Sequence, residues 1–538
     1  MPTCGETLVH LLQAYGIELI FGIPGAHTLE LYRGLPATGI RHVTPRHEQG
    51  AGFMADGYAR VTGKPGVCFI VTGPGMTNIA TAMGQAYADS IPMLVISAVN
   101  ARDQLGMQQG RLHELRSQQS LVSGVAAFSH TLLDPRQLPG ILACAFAVFG
   151  SQRPRPVHIE IPLDVIAAEM GPQPIQRWTV PTRPGPAPAA VLQAAGLLLA
   201  ANRPMIVAGG GATTAAPDIQ AIAEHLDAPV FMTINGKGIL PQGHPLILNG
   251  NLGMQALRRE MADSDVILAI GTEFGETEMY PEPQPLAISG TLIRIDIDPL
   301  QLTTSVSSAL SIVSDAALAC NAIRDALGEV SVPLPRSGAS RATTVNEGVR
   351  AALWPNCATH QGLMRVVMDV LPDAIIVGDQ TEPVYAANQF HQSAAPRSYF
   401  NSSTGYGTLG YGLPAAFGAK LGAPNRPVVC LIGDGGLQFS LSELACAVEA
   451  GIATAIIVWN NASYGEIKAM MAERGLPHIG VDIFAPDFVV LATAMGCAGA
   501  RPQGIADFRQ ELAASTARRV PTLIEIRDPS AIATAFRG

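Results

Sequence analysis

The chain has 538 residues, too many for a single hydrophobic core, and at roughly 150 residues per domain this length predicts three or four folding units. Apolar residues make up 48% and charged residues 14%, a composition typical of a compact protein and not of a disordered one. The net charge of −9 provides no broad basic surface, so we expect no nucleic-acid or membrane partner and favour a small-molecule ligand.

The cysteines and the first residues bear on the cellular compartment of the protein. Eight cysteines are scattered without the paired spacing of a metal site, and several fall in apolar runs, where a buried thiol acts as a small hydrophobic group. The chain begins without a basic segment followed by a long apolar run, and no segment approaches roughly 18 uninterrupted apolar residues. We therefore expect an unprocessed, soluble, cytoplasmic protein.

Two proline-rich segments divide the chain. They are residues 171–188 and 328–338, and neither composition can continue a helix or a central strand. The sequence therefore predicts three domains at about residues 1–168, 189–327 and 345–538.

In the first domain, a strand from Ile40 to Val43 precedes a helix that opens at Glu48 and continues with small residues. A glutamate at this position also favours a helix N-terminus through the helix dipole alone. Further on, a strand from Val67 to Val71, a glycine turn, a helix from Thr77 to Ala88 and a strand from Met93 to Val99 form a βαβ unit.

Two histidines of the first domain are candidates for proton transfer. His27 follows a turn that includes Gly25, and His113 lies in a polar loop. An imidazole titrates near neutral pH and can shuttle protons, but it can equally be a hydrogen-bonded structural group. The sequence alone leaves both readings open.

The middle domain contains strands from Met205 to Ala208, Val266 to Ile270 and Leu292 to Asp296. Glycines follow the first two strands, at residues 209–211 and at Gly271. This pattern predicts a further open α/β unit.

The last domain carries the most specific pattern. A strand from Val428 to Ile432, a helix from about Leu441 to Ala450 and a strand from Ala455 to Val458 place Asp434 and Asn461, 27 positions apart, at one edge of a parallel sheet. Carboxylate, amide and carbonyl oxygens suit octahedral Mg²⁺ that completes its shell with phosphate oxygens. A glycine turn and an asparagine turn without any ligand are the alternative reading.

The same frame occurs twice. When the two units are aligned on their turns, Gly73 takes the place of Asp434, and Asn100 again follows after 27 positions. The first and last domains therefore look like copies of one design, of which only the last keeps a metal-binding carboxylate.

These segments resemble the thiamine diphosphate (ThDP) enzymes of the acetolactate synthase and pyruvate decarboxylase type. The resemblance implies three open parallel-sheet α/β domains, which are pyrimidine-binding, central and diphosphate-binding. It implies that Mg²⁺ is bound by Asp434, Asn461 and the main-chain carbonyl of Ser463, and that the N–H groups of Gly435 and Gly436 meet the diphosphate.

The resemblance also assigns roles around the organic part of the cofactor. It implies that Glu48, within the segments 45–48 and 55–60 that resemble the family's glutamate region, activates the aminopyrimidine ring. The loop that includes Gly25 would face the cofactor. In the segment 405–414, Gly407 would offer its carbonyl to the ring amine, and Leu409 would hold the cofactor in its bent form.

Two departures from the family pattern bear on flavin and on the substrate. In FAD-binding members an arginine commonly stands where this chain has Glu273, so flavin binding is not expected. Glu466 falls where relatives usually place an aliphatic residue that lines the substrate pocket. Its carboxylate could donate a proton or pair with a cationic substrate, for which a guanidinium would be ideal, or it could simply face solvent.

Over all three domains the chain resembles bacterial 5-guanidino-2-oxopentanoate (2-ketoarginine) decarboxylases, most of all between His42 and Asn100. The resemblance implies decarboxylation of this 2-oxo acid to 4-guanidinobutanal and CO₂, with His27, His113 and Glu466 as further catalytic candidates. An acetolactate synthase-like carboligase is the alternative, and the presence of Glu48, Asp434 and Asn461 argues against a non-catalytic relative. The family further implies a homodimer or homotetramer.

Overall fold

A computed structural model describes residues 1–171, 176–279, 285–328 and 336–537. Within these ranges the strands form three six-stranded sheets, in which every described pair of neighbouring strands is parallel. The predicted fold class of three open parallel-sheet α/β domains is therefore confirmed. Parts of both predicted linkers, residues 172–175 and 329–335, lie outside the described residues.

The first sheet has the strand order β2-β1-β3-β4-β6-β5 and is surrounded by helices that bury its apolar strands. Its strands are β1 Leu19–Gly22, β2 Arg41–Val43, β3 Gly66–Ile70, β4 Met93–Val99, β5 Phe128–Thr131 and β6 Val157–Pro162. The helices are α1 Cys4–Ala14, α2 Leu29–Arg33, α3 Glu48–Thr62, α4 Pro74–Ala88, α5 Gln118–Val122, α6 Leu138–Ser151 and α7 Leu163–Ile166.

The central sheet has the different order β12-β11-β10-β7-β8-β9 and carries apolar clusters built from its strands and helices. Its strands are β7 Pro204–Ala208, β8 Val230–Met232, β9 Ile247–Leu248, β10 Val266–Ile270, β11 Thr291–Asp296 and β12 Leu310–Val313. The helices of this part are α8 Pro188–Ala200, α9 Ala216–Leu226, α10 Gln255–Asp263 and α11 Ala316–Leu327.

The glycines after the central strands have a structural use. A Cβ on Gly209 would overlap the carbonyl oxygen of Gly271, so the two loops can approach only through glycine. Close packing of backbone against backbone therefore accounts for these glycines without a bound nucleotide. The expectation that flavin does not bind stays a prediction.

The third sheet repeats the order of the first, as β14-β13-β15-β16-β18-β17. Its strands are β13 Ile375–Gly378, β14 Tyr399–Asn401, β15 Val428–Gly433, β16 Ala455–Asn460, β17 Ala498–Ala500 and β18 Thr522–Arg527. The helices are α12 Gly338–Ala352, α13 Cys357–Val370, α14 Glu382–Phe390, α15 Gly412–Gly422, α16 Asp434–Ser440, α17 Glu443–Glu449, α18 Gly465–Glu473, α19 Phe488–Ala494, α20 Ile505–Ser515 and α21 Ala531–Ala535.

The helix predicted from about Leu441 to Ala450 corresponds to α17, but the glycine turn predicted before it is wrong. Those residues form helix α16, which begins at Asp434 directly after β15. Gly435 and Gly436 have low helix propensity, but both are buried in this first turn, so tertiary packing overrides the propensity.

The chain divides into two compact units. The first contains residues 1–182, 377–381 and 406–532, and the second contains residues 183–376, 382–405 and 533–538. The first and third sheets thus contribute to one unit, whereas the domain bounds expected from the sequence remain a prediction. In the described ranges, no helix has both the length and the apolar character to cross a membrane.

Helices α3 and α15 pack against each other within the first unit with almost no space between their backbones. A Cβ on Gly57 would overlap the carbonyl oxygen of Ala415, and a Cβ on Gly418 would overlap that of Met54. Glycine on both helices therefore permits a contact that any larger side chain would force apart.

We expect Gly418→Ala to destabilise the first unit by about 1–3 kcal/mol, because the added methyl group overpacks a backbone contact that cannot relax locally. The free energy of unfolding in urea measures the effect. Gly124→Ala is the control within the same unit, since a Cβ at Gly124 meets no atom within 4 Å. Equal stability of the two variants would contradict the packing argument.

Candidate functional site

The sheet topology creates a crevice at one edge of the first sheet. Strands β1 and β3 are neighbours, and the chain continues from them toward opposite sides of the sheet. Ligands of open α/β sheets bind at such a reversal, beyond the carboxyl ends of the strands. In the first sheet this position holds the loop after Gly22 and the turn of residues 71–75.

The turn of residues 71–75 contacts three predicted site residues. A Cβ on Gly25 would stand 3.2 Å from Cγ2 of Val71, and a Cβ on Gly75 would stand 3.4 Å from Oε1 of Glu48. Gly73 has φ +71°, and a Cβ there would stand 2.5 Å from the carbonyl oxygen of His113. Gly25, Glu48 and His113 are therefore gathered around one turn.

Glu48 is buried at the start of α3 and is held in one orientation. Its Oε2 accepts a hydrogen bond of 2.8 Å from Nδ2 of Asn78 on α4. The preceding residue, His47, caps the helix by accepting at Nδ1 from the backbone N–H of Gln49. The carboxylate thus has a fixed position at the carboxyl edge of the sheet.

A second carboxylate, which the sequence reasoning missed, supports the chain just before Glu48. Glu443 is buried and accepts hydrogen bonds from the backbone N–H groups of Arg46, at 3.0 Å, and His47, at 2.9 Å. Burial raises the pKa of Glu443 to about 7. Its partners are backbone groups nearly 400 positions away, so no local pattern could have identified it.

His27 and His113 form a pair. Their Nδ1 atoms are 3.3 Å apart, so one ring donates to the other, and their rings cross at 66°. Burial, reinforced by His113, lowers the pKa of His27. The structure thus brings together two candidates that the sequence could only name separately.

The third sheet has the equivalent crevice between β13 and β15. Asp434 begins α16 at the end of β15, is almost fully buried, and has one carboxylate oxygen, Oδ2, with no hydrogen-bond partner in the described part of the chain. Burial raises the pKa of Asp434, whereas backbone N–H groups, that of Asn461 among them, act to lower it. A bound cation would satisfy such an orphaned buried carboxylate oxygen.

Asn461 lies beside Asp434 at the end of the neighbouring strand. Strands β15 and β16 are parallel, with Gly433 opposite Trp459. The side-chain Oδ1 of Asn461 accepts from both the N–H and the hydroxyl of Ser463, each at 3.1 Å, which orders the loop. Asp434, Asn461 and Ser463 are therefore close together and rich in oxygen, although the described residues contain no cluster of three His, Cys, Asp or Glu side chains.

The glycines after Asp434 allow close approach of neighbouring side chains. A Cβ on Gly435 would stand 2.6 Å from Cε1 of Tyr464, and a Cβ on Gly436 would stand 2.7 Å from Oδ1 of Asp379. A larger residue at either position would push the start of α16 away from its neighbours.

Asp379, at the end of β13, is a second residue that the sequence reasoning missed. It is fully buried, and its carboxylate accepts from the backbone N–H groups of Gln380 at 2.8 Å, Gly410 at 3.3 Å and Gly412 at 2.8 Å. Burial raises its pKa to about 6. An acid directly after a buried strand at a topological reversal is the sequence signal that could have identified it.

The loop that Asp379 holds contains Gly407 and Leu409. Gly407 is exposed and has φ +75°, and a Cβ there would stand 3.6 Å from Nε2 of Gln380, while Leu409 is half-buried. Oε1 of Gln85 also accepts from the Thr408 hydroxyl at 2.8 Å. The loop is therefore fixed from both sheets of the unit.

A buried ionic network supports the same loop. The hydroxyl of Tyr411 donates to Asp56, which pairs with Arg60 at 2.6 Å, and Arg60 also pairs with Asp89. These charges are buried, so loss of one partner would leave the others uncompensated. The predicted segment 55–60 thus supports this loop.

Glu466 lies in the first turn of α18, and its side chain is exposed. Each residue of α18 is at least partly accessible, so this helix forms an open rim next to the Asn461 loop. This position alone does not assign a role to Glu466, so the role expected from the sequence stays a prediction.

Comparison with known proteins defines the family. Models of thiamine pyrophosphate enzymes match residues 2–121 as the N-terminal TPP binding domain, residues 191–323 as the central domain and residues 379–526 as the C-terminal TPP binding domain. The chain belongs to the thiamine pyrophosphate enzymes and binds thiamine diphosphate through its first and third domains.

Individual relatives are similar over nearly the whole chain. It is 47% identical to the probable 2-ketoarginine decarboxylase AruI of Pseudomonas aeruginosa, over 98% of this chain and 94% of that protein. It is 32% identical to the acetolactate synthase of Arthrospira platensis, over 97% and 93%. It is 31% identical to the large subunit of acetolactate synthase isozyme 1 of Escherichia coli K12, over 98% and 94%.

We expect Glu443→Gln to change how stability depends on pH. In the wild type the unfolded carboxyl ionises from about pH 4.5 while the folded one keeps its proton to about pH 7, so the free energy of unfolding falls across this window. The variant lacks this titration. Its free energy of unfolding should therefore rise relative to that of the wild type by on the order of 2–3 kcal/mol as the pH increases through this window.

Urea unfolding at several pH values measures the difference. Glu473→Gln serves as the control, because Glu473 is exposed at the end of α18. Parallel stability curves for the wild type and Glu443→Gln would contradict the assignment.

Proposed function

We propose that the chain is a Mg²⁺- and thiamine diphosphate-dependent decarboxylase that converts 5-guanidino-2-oxopentanoate and a proton into 4-guanidinobutanal and CO₂. The observation that carries the proposal is the buried, partly orphaned Asp434 beside the ordered Asn461 loop, in a chain with 47% identity to a probable 2-ketoarginine decarboxylase. The acetolactate synthases are less similar, at 31–32% identity, and carboligation is the second candidate.

The residues around Asp434 fit a magnesium diphosphate group. Oδ2 of Asp434, the side-chain oxygen of Asn461 and the carbonyl of Ser463 are hard oxygen ligands, and the ion would satisfy the orphaned carboxylate oxygen. The N–H groups of Gly435 and Gly436 would meet the phosphate oxygens. These five residues would hold the charged end of the cofactor.

Thiamine diphosphate, when bound, supplies a nucleophilic carbon and an electron sink for the carbon–carbon bond that breaks. Glu48 would hold a proton against the pyrimidine ring, and its hydrogen bond to Asn78 fixes its direction. Gly407 and Leu409, in the loop that Asp379 supports, would set the conformation of the cofactor. Gly25 would leave room beside the pyrimidine ring.

The His27–His113 pair would deliver the proton that replaces CO₂. A proton taken up from solvent would be shared through the hydrogen bond between the two Nδ1 atoms. Because burial lowers the pKa of His27, the protonated pair would give this proton up readily to the substrate carbon and return to its neutral form.

Glu466 would bind the guanidinium end of the substrate. A carboxylate accepts both N–H groups of a guanidinium fork, an interaction of about 1.5–3 kcal/mol for a charged pair. Its side chain is exposed on the rim beside the Asn461 loop.

The first test is CO₂ release by protein stripped of metal and cofactor and then supplied with both, comparing the guanidino acid with pyruvate and identifying the organic product. We expect 4-guanidinobutanal, no activity without Mg²⁺, and loss of turnover in Glu48→Gln with cofactor binding retained. Acetolactate from pyruvate would contradict decarboxylation and favour the synthase.

We expect Glu466→Leu to lower kcat/KM for the guanidino acid about tenfold or more, because the ion pair to the guanidinium is lost, and to leave an aliphatic 2-oxo acid unaffected or improved. Steady-state kinetics with both substrates measures this. Glu473→Gln, at the other end of α18, controls for loss of surface charge. An equal loss for both substrates would rule out a specificity role.

We further propose a homodimer or homotetramer in the cytoplasm. Exposed apolar side chains flank the Asn461 loop, with Phe439 58%, Ile479 75% and Phe484 83% accessible, and the carbonyl of Phe484 accepts from Gln438 on α16. Such a surface next to a charged site suits a second copy of the chain. Eight free cysteines, seven of them buried, suit a reducing compartment.

Light scattering of the wild type should give the mass of a dimer or tetramer, and Phe484→Glu should shift it toward the monomer with loss of activity, because a charge would be buried at the contact. Leu300→Glu is the control, since Leu300 is 74% exposed in the other unit. A monomeric, active wild type would contradict the proposal.

A further inference from the structure

A pocket in the second unit has no part in the proposed reaction. It has a volume of about 400 Å³ and lies among residues of α12, α13, the end of α14 and the chain near Arg537. We call it the arginine pocket, after Arg350, Arg365 and Arg537, which line it. The residues assigned above to cofactor and substrate belong to the first unit.

The pocket carries a concentrated positive charge. Three of its lining residues are arginines and none is an aspartate or glutamate, although the chain as a whole has a net charge of −9. In the described ranges, the side chains of Arg350 and Arg365 make no hydrogen bond or ion pair. Their guanidinium groups are therefore available to a ligand.

Arg537 is fixed by neutral partners. Its Nε donates to the Thr359 hydroxyl at 3.1 Å, and its Nη2 donates to Oδ1 of Asn356 at 2.8 Å. Neither partner is a carboxylate, so this guanidinium is oriented without a counter-charge from the described residues. An oriented arginine of this kind in a concave site favours an anion.

The wall of the pocket is preorganised. Asn346 accepts from the N–H of Asn249 and donates to the carbonyl of Ile247, each at 2.8 Å. Oε1 of Gln389 is buried without a partner among the described residues, and a half-turn of this amide would present an N–H donor instead. Phe390 and Leu353 add an apolar surface.

We propose that the arginine pocket binds a small organic polyanion that carries phosphate or carboxylate groups. Guanidinium forks match both groups with two parallel hydrogen bonds, and the apolar wall suits a carbon skeleton or a planar ring. The volume suits a ligand of metabolite size. The guanidino substrate proposed above carries a guanidinium beside its single carboxylate and so has no net negative charge, which makes it a poorer match for three arginines than a polyanion.

The test uses the full chain saturated with Mg²⁺ and thiamine diphosphate, so that the cofactor site cannot take up the probes. Pyrophosphate, AMP and citrate are titrated by calorimetry and by thermal shift at physiological salt. We expect at least one probe to bind, and the double variant Arg350→Gln, Arg365→Gln to weaken that binding about tenfold or more.

Arg259→Gln is the matched control. Arg259 is exposed on α10 of the same unit, does not line the pocket, and has no side-chain hydrogen bond or ion pair among the described residues. Binding of pyrophosphate or AMP alone would identify a phosphate ligand, and binding of citrate alone would identify a carboxylate ligand. Failure of every probe, or equal binding by the double variant and the wild type, would overturn the proposal.

Circular dichroism and retained decarboxylase activity separate loss of binding from loss of folding, since both arginines are exposed. The inference does not depend on the proposed reaction. If the guanidino acid is not the substrate, the calorimetric result for the pocket still stands.

Discussion

The buried carboxylate of Asp379 is the interaction on which the candidate site depends. It lies between the two loops of the third sheet that matter for a ligand, because it accepts backbone N–H groups at Gly410 and Gly412 and borders Gly436. A buried carboxylate must satisfy its lone pairs with protein donors. Asp379 therefore fixes the conformation of both loops without any ligand.

The first and third sheets have the same strand order but use their crevices differently. In the third, Asp434 follows the third strand, and its Oδ2 atom has no hydrogen-bond partner among the residues that the structure describes. In the first, the same position is Gly73, and the main chain of His113 occupies the space that a side chain would need. One position thus holds a buried carboxylate, and the other makes room for a polypeptide loop that brings His113 to His27.

Much of this arrangement could be predicted from the sequence, because buried parallel strands are continuous apolar runs. Strands β4 and β10 have the predicted bounds, and the βαβ frame around Asp434 and Asn461 was found from spacing alone. The glycine turn predicted after β15 is wrong, since these glycines lie in helix α16, which tertiary contacts stabilise.

The supporting carboxylate of Glu443 could not be predicted in the same way. It binds backbone N–H groups, which every residue possesses and no sequence pattern marks, whereas the place of Asp379 directly after a buried strand is a signal in the sequence. The contact of His27 with His113 likewise depends on how a loop of some twenty residues returns across Gly73, and composition does not determine that path. Residues whose partners are remote or made of backbone are thus the ones that sequence reasoning misses.

The glycine contact between α3 and α15 has a consequence for biosynthesis. Gly57 lies against Ala415, and Gly418 lies against Met54, so segments more than three hundred residues apart complete one compact unit. During translation the first sheet emerges long before helix α15 is made. The nascent chain therefore has a long interval in which the native contact with α15 does not yet cover the small apolar face of α3.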